Sequence, residues 1–270
     1  MNKIDDIGIF AWFGYRYPFT KIIKLIKEAG FTSVMTWWGD EFSESMVPKE
    51  KQPEIIRSSG LKLENTHFPF EGINSIWEDK PEGEEIFNRY LSCINECKVH
   101  EIPAAVIHVS KGDDPPPCGK LGLYRFKKLA ETAEKCGVNI ALENLRKPEY
   151  LEYVFNSIDS GRLKFCYDSG HENCFTPGYD FLAKYGHKLA ALHLHDNDGK
   201  SDQHLLPFNG TVNWERIMNR LSALDYSGPL ALEVDAQFVD VSKEFTAEEY
   251  LTEAMNRAKK LAEMYETATI

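Results

Sequence analysis

LHLHDNDGKSDQHLLPFNGTVNW, residues 192–214, packs His193, His195, Asp196, Asp198, Asp202 and His204 behind an apolar lead-in that runs from Leu189 to Leu194. A short apolar run that gives way at once to polar groups reads as a buried parallel strand delivering side chains to one rim of a sheet or barrel. Neutral imidazole and ionised carboxylate are the nitrogen and oxygen donors that zinc, manganese, iron or cobalt accept. A solvated polar loop is the plainer reading of this segment taken alone.

Outward from this stretch, short segments rich in Ile, Val, Phe and Leu alternate with longer amphipathic ones, the pattern of repeated β-α units around a parallel sheet. Strands are predicted over Ile7–Trp12, Ser33–Trp37, Lys62–Asn65, Ala104–His108, Asn139–Glu143, Lys164–Tyr167, Ala190–His193 and Pro229–Glu233. Helices are predicted over Phe19–Ala29, Lys49–Ser58, Glu82–Lys98, Leu121–Lys135, Glu149–Ile158, Tyr179–Lys184, Trp214–Leu224 and Ala247–Tyr265. Gly30, Gly60, Gly137 and Gly161 follow four of these helices, where a left-handed cap is wanted. Eight such units predict an α/β fold, a (β/α)8 barrel formed as a single domain over residues 1–270. No linker interrupts them, and Pro115-Pro116-Pro117 reads as a stiff surface loop. An open doubly wound sheet would also alternate strand and helix, but no G-x-G-x-x-G follows the first strand.

At 270 residues the chain fits the usual size of an α/β barrel. Its 31 Lys and Arg stand against 42 Asp and Glu, and a formal charge of −11 disfavours nucleic acid as a partner. Six cysteines without a C-x-x-C spacing read as reduced thiols, with Cys93 and Cys97 packing as small apolar residues. The start MNKIDDIGIF lacks the apolar stretch of a signal peptide, and no run approaches a membrane span. A soluble, cytoplasmic protein is expected, with self-association left open.

In such a barrel the chemistry collects at the carboxyl ends of the strands. There the third predicted strand carries His67 (ENTHFPF), the fourth His108 (VIHVSKG), the fifth Glu143 (ALENL), the sixth Asp168 and His171 (FCYDSGH), and the eighth Glu233 (LALEV). Each histidine alone could be structural, and Asp168 could simply cap a helix that bears His171. Glu143 and Glu233 differ, because each sits in an apolar strand where an unpaired carboxylate is costly to bury and a cation removes that cost. His193 and His195 are read as facing opposite sides of the backbone. His193 is then the ligand and His195 a supporting residue, with Asp196 as an imidazole partner. Asp202 and His204 are able to reach a second ion. His100 and His187 are left structural. Trp12, Phe13, Trp37, Trp38 and Phe68 either stack on the apolar face of a sugar or pack the core. Lys111, Arg146 and Lys200 stand singly, to bind one phosphate or be solvated. His67, Phe68, Trp12 and Arg146 are the substrate-binding candidates.

Taken together, ALEN, DSGH, HLHDNDGKSDQHLLP, NGTVNW and LALEV, with NTHFPF and VIHVSKG upstream, resemble the xylose isomerase-like TIM barrels. These include sugar-phosphate isomerases and epimerases, inosose dehydratases and the apurinic endonucleases typified by endonuclease IV. The resemblance implies a four-ligand divalent site at Glu143, Asp168, His193 and Glu233. The two glutamates would move a proton beside a polarised carbonyl, and His171 would bind a substrate hydroxyl. The substrate so implied is a small sugar, sugar phosphate or polyol. The endonuclease branch instead implies three zinc ions, with His67, His108, His171, Asp202 and His204 as further ligands, so one to three ions are expected. Pro207-Phe208-Asn209-Gly210 departs from the family's Pro-Gly-x-Gly, and Phe208 is expected to wall and reshape the loop over the site.

Overall fold

The computed structural model describes residues 5–39, 47–238 and 245–268. Residues 1–4, on which the reading of the N-terminus partly rests, lie outside them. Eight parallel strands form the sheet: β1 (Ile7–Phe10), β2 (Ser33–Trp37), β3 (Lys62–His67), β4 (Ala104–Ile107), β5 (Asn139–Glu143), β6 (Leu163–Asp168), β7 (Leu189–His193) and β8 (Leu230–Leu232). Their order is β7-β6-β5-β4-β3-β2-β1-β8. The ring closes at Leu194, which bridges to Leu232 just past β7. Its N–H donates to the Ala231 carbonyl at 2.9 Å, and its own carbonyl accepts from Glu233 N–H at 3.1 Å. The predicted (β/α)8 barrel is the observed one.

The helices are α1 (Phe19–Glu28), α2 (Gln52–Ser58), α3 (Pro81–Val99), α4 (Lys120–Cys136), α5 (Pro148–Ser157), α6 (Ser169–Phe175), α7 (Phe181–Tyr185), α8 (Trp214–Ala223) and α9 (Ala247–Thr267). In α1 the buried residues are Phe19, Ile22, Ile23, Leu25 and Ile26, one stripe of a 3.6-residue repeat laid against the sheet. The short α6 starts directly after the last residue of β6 and is the helix capped by Asp168 that the sequence allowed. Gly30, Gly60 and Gly137 do hold positive φ. Gly161 does not: α5 ends at Ser157 and Ile158 is extended, so the chain leaves that helix without a left-handed cap. Cys93 and Cys97 are buried among apolar side chains. Among the described residues no helix is long and apolar enough to cross a membrane.

Most of the core lies between strands and helices, while Val106, Ala141, Cys166 and Ala191 form a separate small cluster. These four belong to β4 through β7 and point into the barrel, where small side chains leave room for polar groups. One such group is Glu64. A register shift between β2 and β3 makes Glu64 the unpaired residue of β3. Although the residue as a whole is half-buried, both carboxyl oxygens are buried with no hydrogen-bond partner among the described residues. A Cβ on Gly8 would lie 3.2 Å from one of those oxygens, so Gly8 makes the space for them. Burial pushes the Glu64 carboxyl up to about 8, with the Asp6 charge adding to the rise and His193 opposing it.

A carboxyl raised on folding binds its proton more tightly in the native than in the unfolded chain. Its contribution to stability is therefore full below the unfolded value near 4.5 and is lost as pH rises through about 8. Glu64→Gln is expected to abolish this decline and to raise the melting temperature at pH 8 above that of the parent. Equal melting curves for the two at pH 8 would contradict the assignment.

Candidate functional site

Glu143 ends β5 almost fully buried, and imidazoles surround it. Its Oε2 lies 3.2 Å from His67 Nε2 and 2.8 Å from His108 Nε2. Its Oε1 lies 2.7 Å from His193 Nδ1 and 3.7 Å from His171 Nδ1. His193 Nδ1 is shared, since Glu233 Oε2 stands 3.2 Å away on its other side. Asp168 anchors a second group: His195 Nε2 is 3.1 Å from its carboxylate and His171 Nδ1 is 3.6 Å away. Asp202 faces His171 Nε2 at 3.2 Å and His204 Nε2 at 3.5 Å. Thus side chains from the ends of β3 through β8 meet in one mouth, above a cavity of about 550 Å³.

Local structure fixes these positions. Asp168 is the N-cap of α6 and accepts from His171 N–H at 2.6 Å, so the capping reading and the ligand reading describe the same residue. Asn144, quoted in the ALEN motif but given no role from sequence, donates to Asp168 O at 2.8 Å and accepts from Asp168 N–H at 2.7 Å. That pair ties the tip of β5 to the tip of β6. Beyond β7, Asp196 and Leu205 exchange backbone hydrogen bonds of 2.8 and 2.9 Å. The intervening excursion is thereby turned back, and it brings Asp202 and His204 over the mouth.

The charges are mutually dependent. Burial by itself would raise the Glu143 carboxyl, but the facing His193, His108 and His67 hold it well below the usual range. Burial likewise opposes the ionisation of Glu233, and His193 and His204 bring it down to about 2. Burial disfavours the charged imidazole at His193 and His171, yet Cys166, Glu233 and Glu143 around the first, and Asp168 and Asp202 around the second, hold both well above the ordinary histidine value. His204 is raised to about 9 against its own burial, chiefly by Asp202 and Glu233. His108 goes the other way, down to about 4, because burial dominates there. The field that draws protons onto these imidazoles also favours a cation.

The donor set fits a divalent ion. In His67, His171 and His204, Nδ1 lies on a backbone carbonyl, at 2.8 Å from Phe68 O, 3.1 Å from Asn144 O and 2.8 Å from Glu233 O. With an ion bound and the imidazole neutral, the one N–H would stay on Nδ1 and Nε2 would offer its lone pair to the ion, the orientation that metal-binding histidines take. One ligand atom from each of Glu143, Asp168, His193 and Glu233 lies within 4.8 Å of the others. A modest inward shift of these side chains would bring all four to the distance of about 2.0–2.2 Å that a common ion needs. Asp202 Oδ1 is buried without a hydrogen-bond partner among the described residues, as is His108 Nδ1.

Four expectations need correction. His193 and His195 do not face opposite sides: residues two apart on an extended chain share a face. His195 is fully buried, reaches Asp168 and stacks on His204 with ring centroids 4.0 Å apart. Asp196 serves no imidazole; its carboxylate accepts from the N–H groups of Asn197, Phe208 and Val212 and from Trp214 Nε1, at 2.9 to 3.0 Å. Phe68 is no substrate-binding residue, being fully buried against Tyr90, and Phe70 lines the cavity instead. Phe208 walls no part of that cavity; it takes the glycine-like φ of +72° and packs against Trp214 beneath Lys260. Trp12, Trp37, His67 and Arg146 do line it, whereas Phe13 and Trp38 are core. Phe175 and Asp235 also line it and were missed; Asp235 lies two residues past Glu233, the spacing that repeats a strand face. Replacing Asp196 by Ala would strand four donors in the loop that carries Asp202 and His204. A loss of about 3–5 kcal/mol in urea unfolding is expected, together with loss of bound metal by elemental analysis.

The xylose isomerase-like TIM barrel family model matches residues 23–262. An uncharacterized protein, y4fM of Sinorhizobium fredii, is 29% identical over 248 residues, which span 78% of this chain and 79% of that one. Among solved structures, D-psicose 3-epimerase of Clostridium cellulolyticum H10 with D-tagatose superposes with a TM-score of 0.74 at 14% identity, over 97% of this chain and 99% of its own. A D-tagatose 3-epimerase-like protein superposes with a TM-score of 0.77 at 19% identity, over 97% and 98%. The match to the family model over most of the barrel makes this chain a member of the xylose isomerase-like TIM barrel family.

Proposed function

We propose that the protein is a divalent-metal-dependent isomerase or epimerase of a small sugar or polyol, moving a proton at a carbon next to a carbonyl. The observation that carries this reading is the pair Glu143 and Glu233, both drawn below the ordinary carboxyl range and both facing His193 Nδ1 at the rim of an aromatic-walled cavity. The epimerase names of the structural neighbours support the same reaction class. Glu143, Asp168, His193 and Glu233 would hold the ion, which supplies Lewis-acid polarisation of the substrate carbonyl.

One glutamate, ionised, accepts the proton from carbon at a carboxylate oxygen and so becomes the acid that returns it; for inversion the returned proton comes instead from the other glutamate, which enters that turnover protonated from solvent. Delivery to the opposite face of the carbon inverts it, and delivery to the neighbouring carbon isomerises the sugar. His171, whose Nε2 faces Asp202 at the cavity wall, would bind a substrate hydroxyl. Trp12, Trp37 and Phe70 give the sugar an apolar wall and exclude water from the proton transfer.

The test is solvent exchange. Metal-loaded protein in deuterium oxide should place deuterium beside the carbonyl of D-psicose or D-tagatose, and Glu233→Gln should slow this by about a hundredfold or more with the fold intact by circular dichroism. No exchange by the loaded parent across such ketoses would end this reading.

A second reading, a metal-dependent phosphodiesterase of the endonuclease class, draws support from His67 and His108 on Glu143 and from the separate group of His171, Asp202 and His204. It expects three ions per chain and cleavage of an abasic-site duplex. Against it, Lys111 and Arg146 are the cations that line the cavity among the described residues, too few to hold a duplex backbone.

A further inference from the structure

The cavity wall on the side of β4 and β5 repeats one construction twice. Lys111 Nζ stands 4.6 Å over the Phe70 ring, and Phe70 in turn stacks on His108 with centroids 4.2 Å apart and planes 6° apart. The Arg146 guanidinium stands 3.6 Å over the Phe175 ring, and Phe175 stacks on His171 at 5.3 Å and 23°. In both, a cation lies one aromatic ring further out than an imidazole of the site, and both cations line the cavity. The Lys111 backbone is clamped from two sides: Asn74 Nδ2 donates to its carbonyl at 2.8 Å, and its N–H donates to Asn74 Oδ1 at 2.7 Å. Arg146 is tied to the same loop through Asp113, 3.1 Å away and 85% exposed, an ion pair in water that a better acceptor displaces.

The ammonium of Lys111 has no carboxylate within ion-pair distance among the described residues; Glu71, on the same rim, is exposed and makes no pair with it. Two cations held on aromatic platforms stand out in a chain of net charge −11 whose reacting end is lined with carboxylates. Such a mouth repels a free anion, so a ligand's negative charge is accepted only where these cations outweigh the acids. An oxyanion that reaches either cation would receive charge-assisted hydrogen bonds.

From this we infer that Lys111 and Arg146 form a subsite for an anionic group, a phosphate or carboxylate, at the end of the sugar remote from its reacting carbonyl. This rests on the proposed reaction for its orientation and narrows the substrate class to acidic sugars. Phe70 and Phe175 set the spacing, since each ring keeps its cation one layer away from the proton-transfer centre.

The experiment is a binding titration of the metal-loaded protein by tryptophan fluorescence, because Trp12 and Trp37 line the same cavity. The probes are D-fructose, D-fructose 6-phosphate and D-fructuronate. At least one charged sugar should bind about tenfold tighter than D-fructose or better, by, and Lys111→Met with Arg146→Met should remove that advantage. Lys111→Arg should keep it. Preference for the 6-phosphate alone identifies a phosphate subsite, and preference for fructuronate alone a carboxylate subsite. Equal binding of all three sugars, no binding of any, or a preference that survives in the double variant overturns the inference. Should the double variant fail to fold by its melting curve, the single Lys111→Met, at an exposed side chain, decides. Binding is read apart from turnover: tight, Lys111-dependent binding without deuterium exchange would keep the subsite and remove the proposed reaction, and exchange of D-fructose 6-phosphate and D-fructuronate at subsaturating concentration, unchanged by Lys111→Met, would do the reverse.

Discussion

The structure depends on the burial of Glu143. An ionised carboxylate taken out of water costs several kcal/mol unless opposite charge or donors meet it, and here four histidines from β3, β4, α6 and β7 do so. Two of those imidazoles are held again through Nδ1, His67 on Phe68 O and His171 on Asn144 O, and His108 rests against the Phe70 ring. No member can move without exposing a charge on another. Glu143 thereby couples strand ends that are remote in sequence, and it defines the floor on which substrate chemistry is proposed to occur.

The same economy explains the loop after β7. Its tip must present Asp202 and His204 to the site, yet it is polar and short of apolar contacts. Asp196 supplies the rigidity, collecting N–H groups from three later residues and from the Trp214 indole. Ser169 adds to this by accepting from His195 N–H at 3.0 Å and donating to His195 O at 2.7 Å. Gly170 completes the arrangement, because a Cβ there would fall 1.9 Å from the His195 ring. Three consecutive residues, Asp168, Ser169 and Gly170, are thus committed to holding one histidine in place.

Much of this was legible in the chain. Apolar runs of strand length ending in His, Asp or Glu gave the barrel and the rim, because a parallel strand buried on both faces leaves its chemistry to its last residue. Periodicity failed where the backbone departs from regularity. A register shift turned Glu64 inward. Phe68 and Phe70 were confused because the chain leaves the strand at His67, after which alternation no longer tells core from cavity. His195 was misplaced by a wrong application of the two-residue repeat. Asn144 gave no signal at all, since its work is done through the backbone of Asp168.

The ring of strands is sewn with unequal stitches. Seven neighbouring pairs share ladders, but β7 and β8 meet through Leu194 alone, at the end of a strand three residues long. His193 and Glu233 stand on opposite sides of that seam and face each other across it at 3.2 Å. Anything that binds both at once fastens the weakest join in the cylinder, so occupancy of the mouth and integrity of the ring are thermodynamically linked.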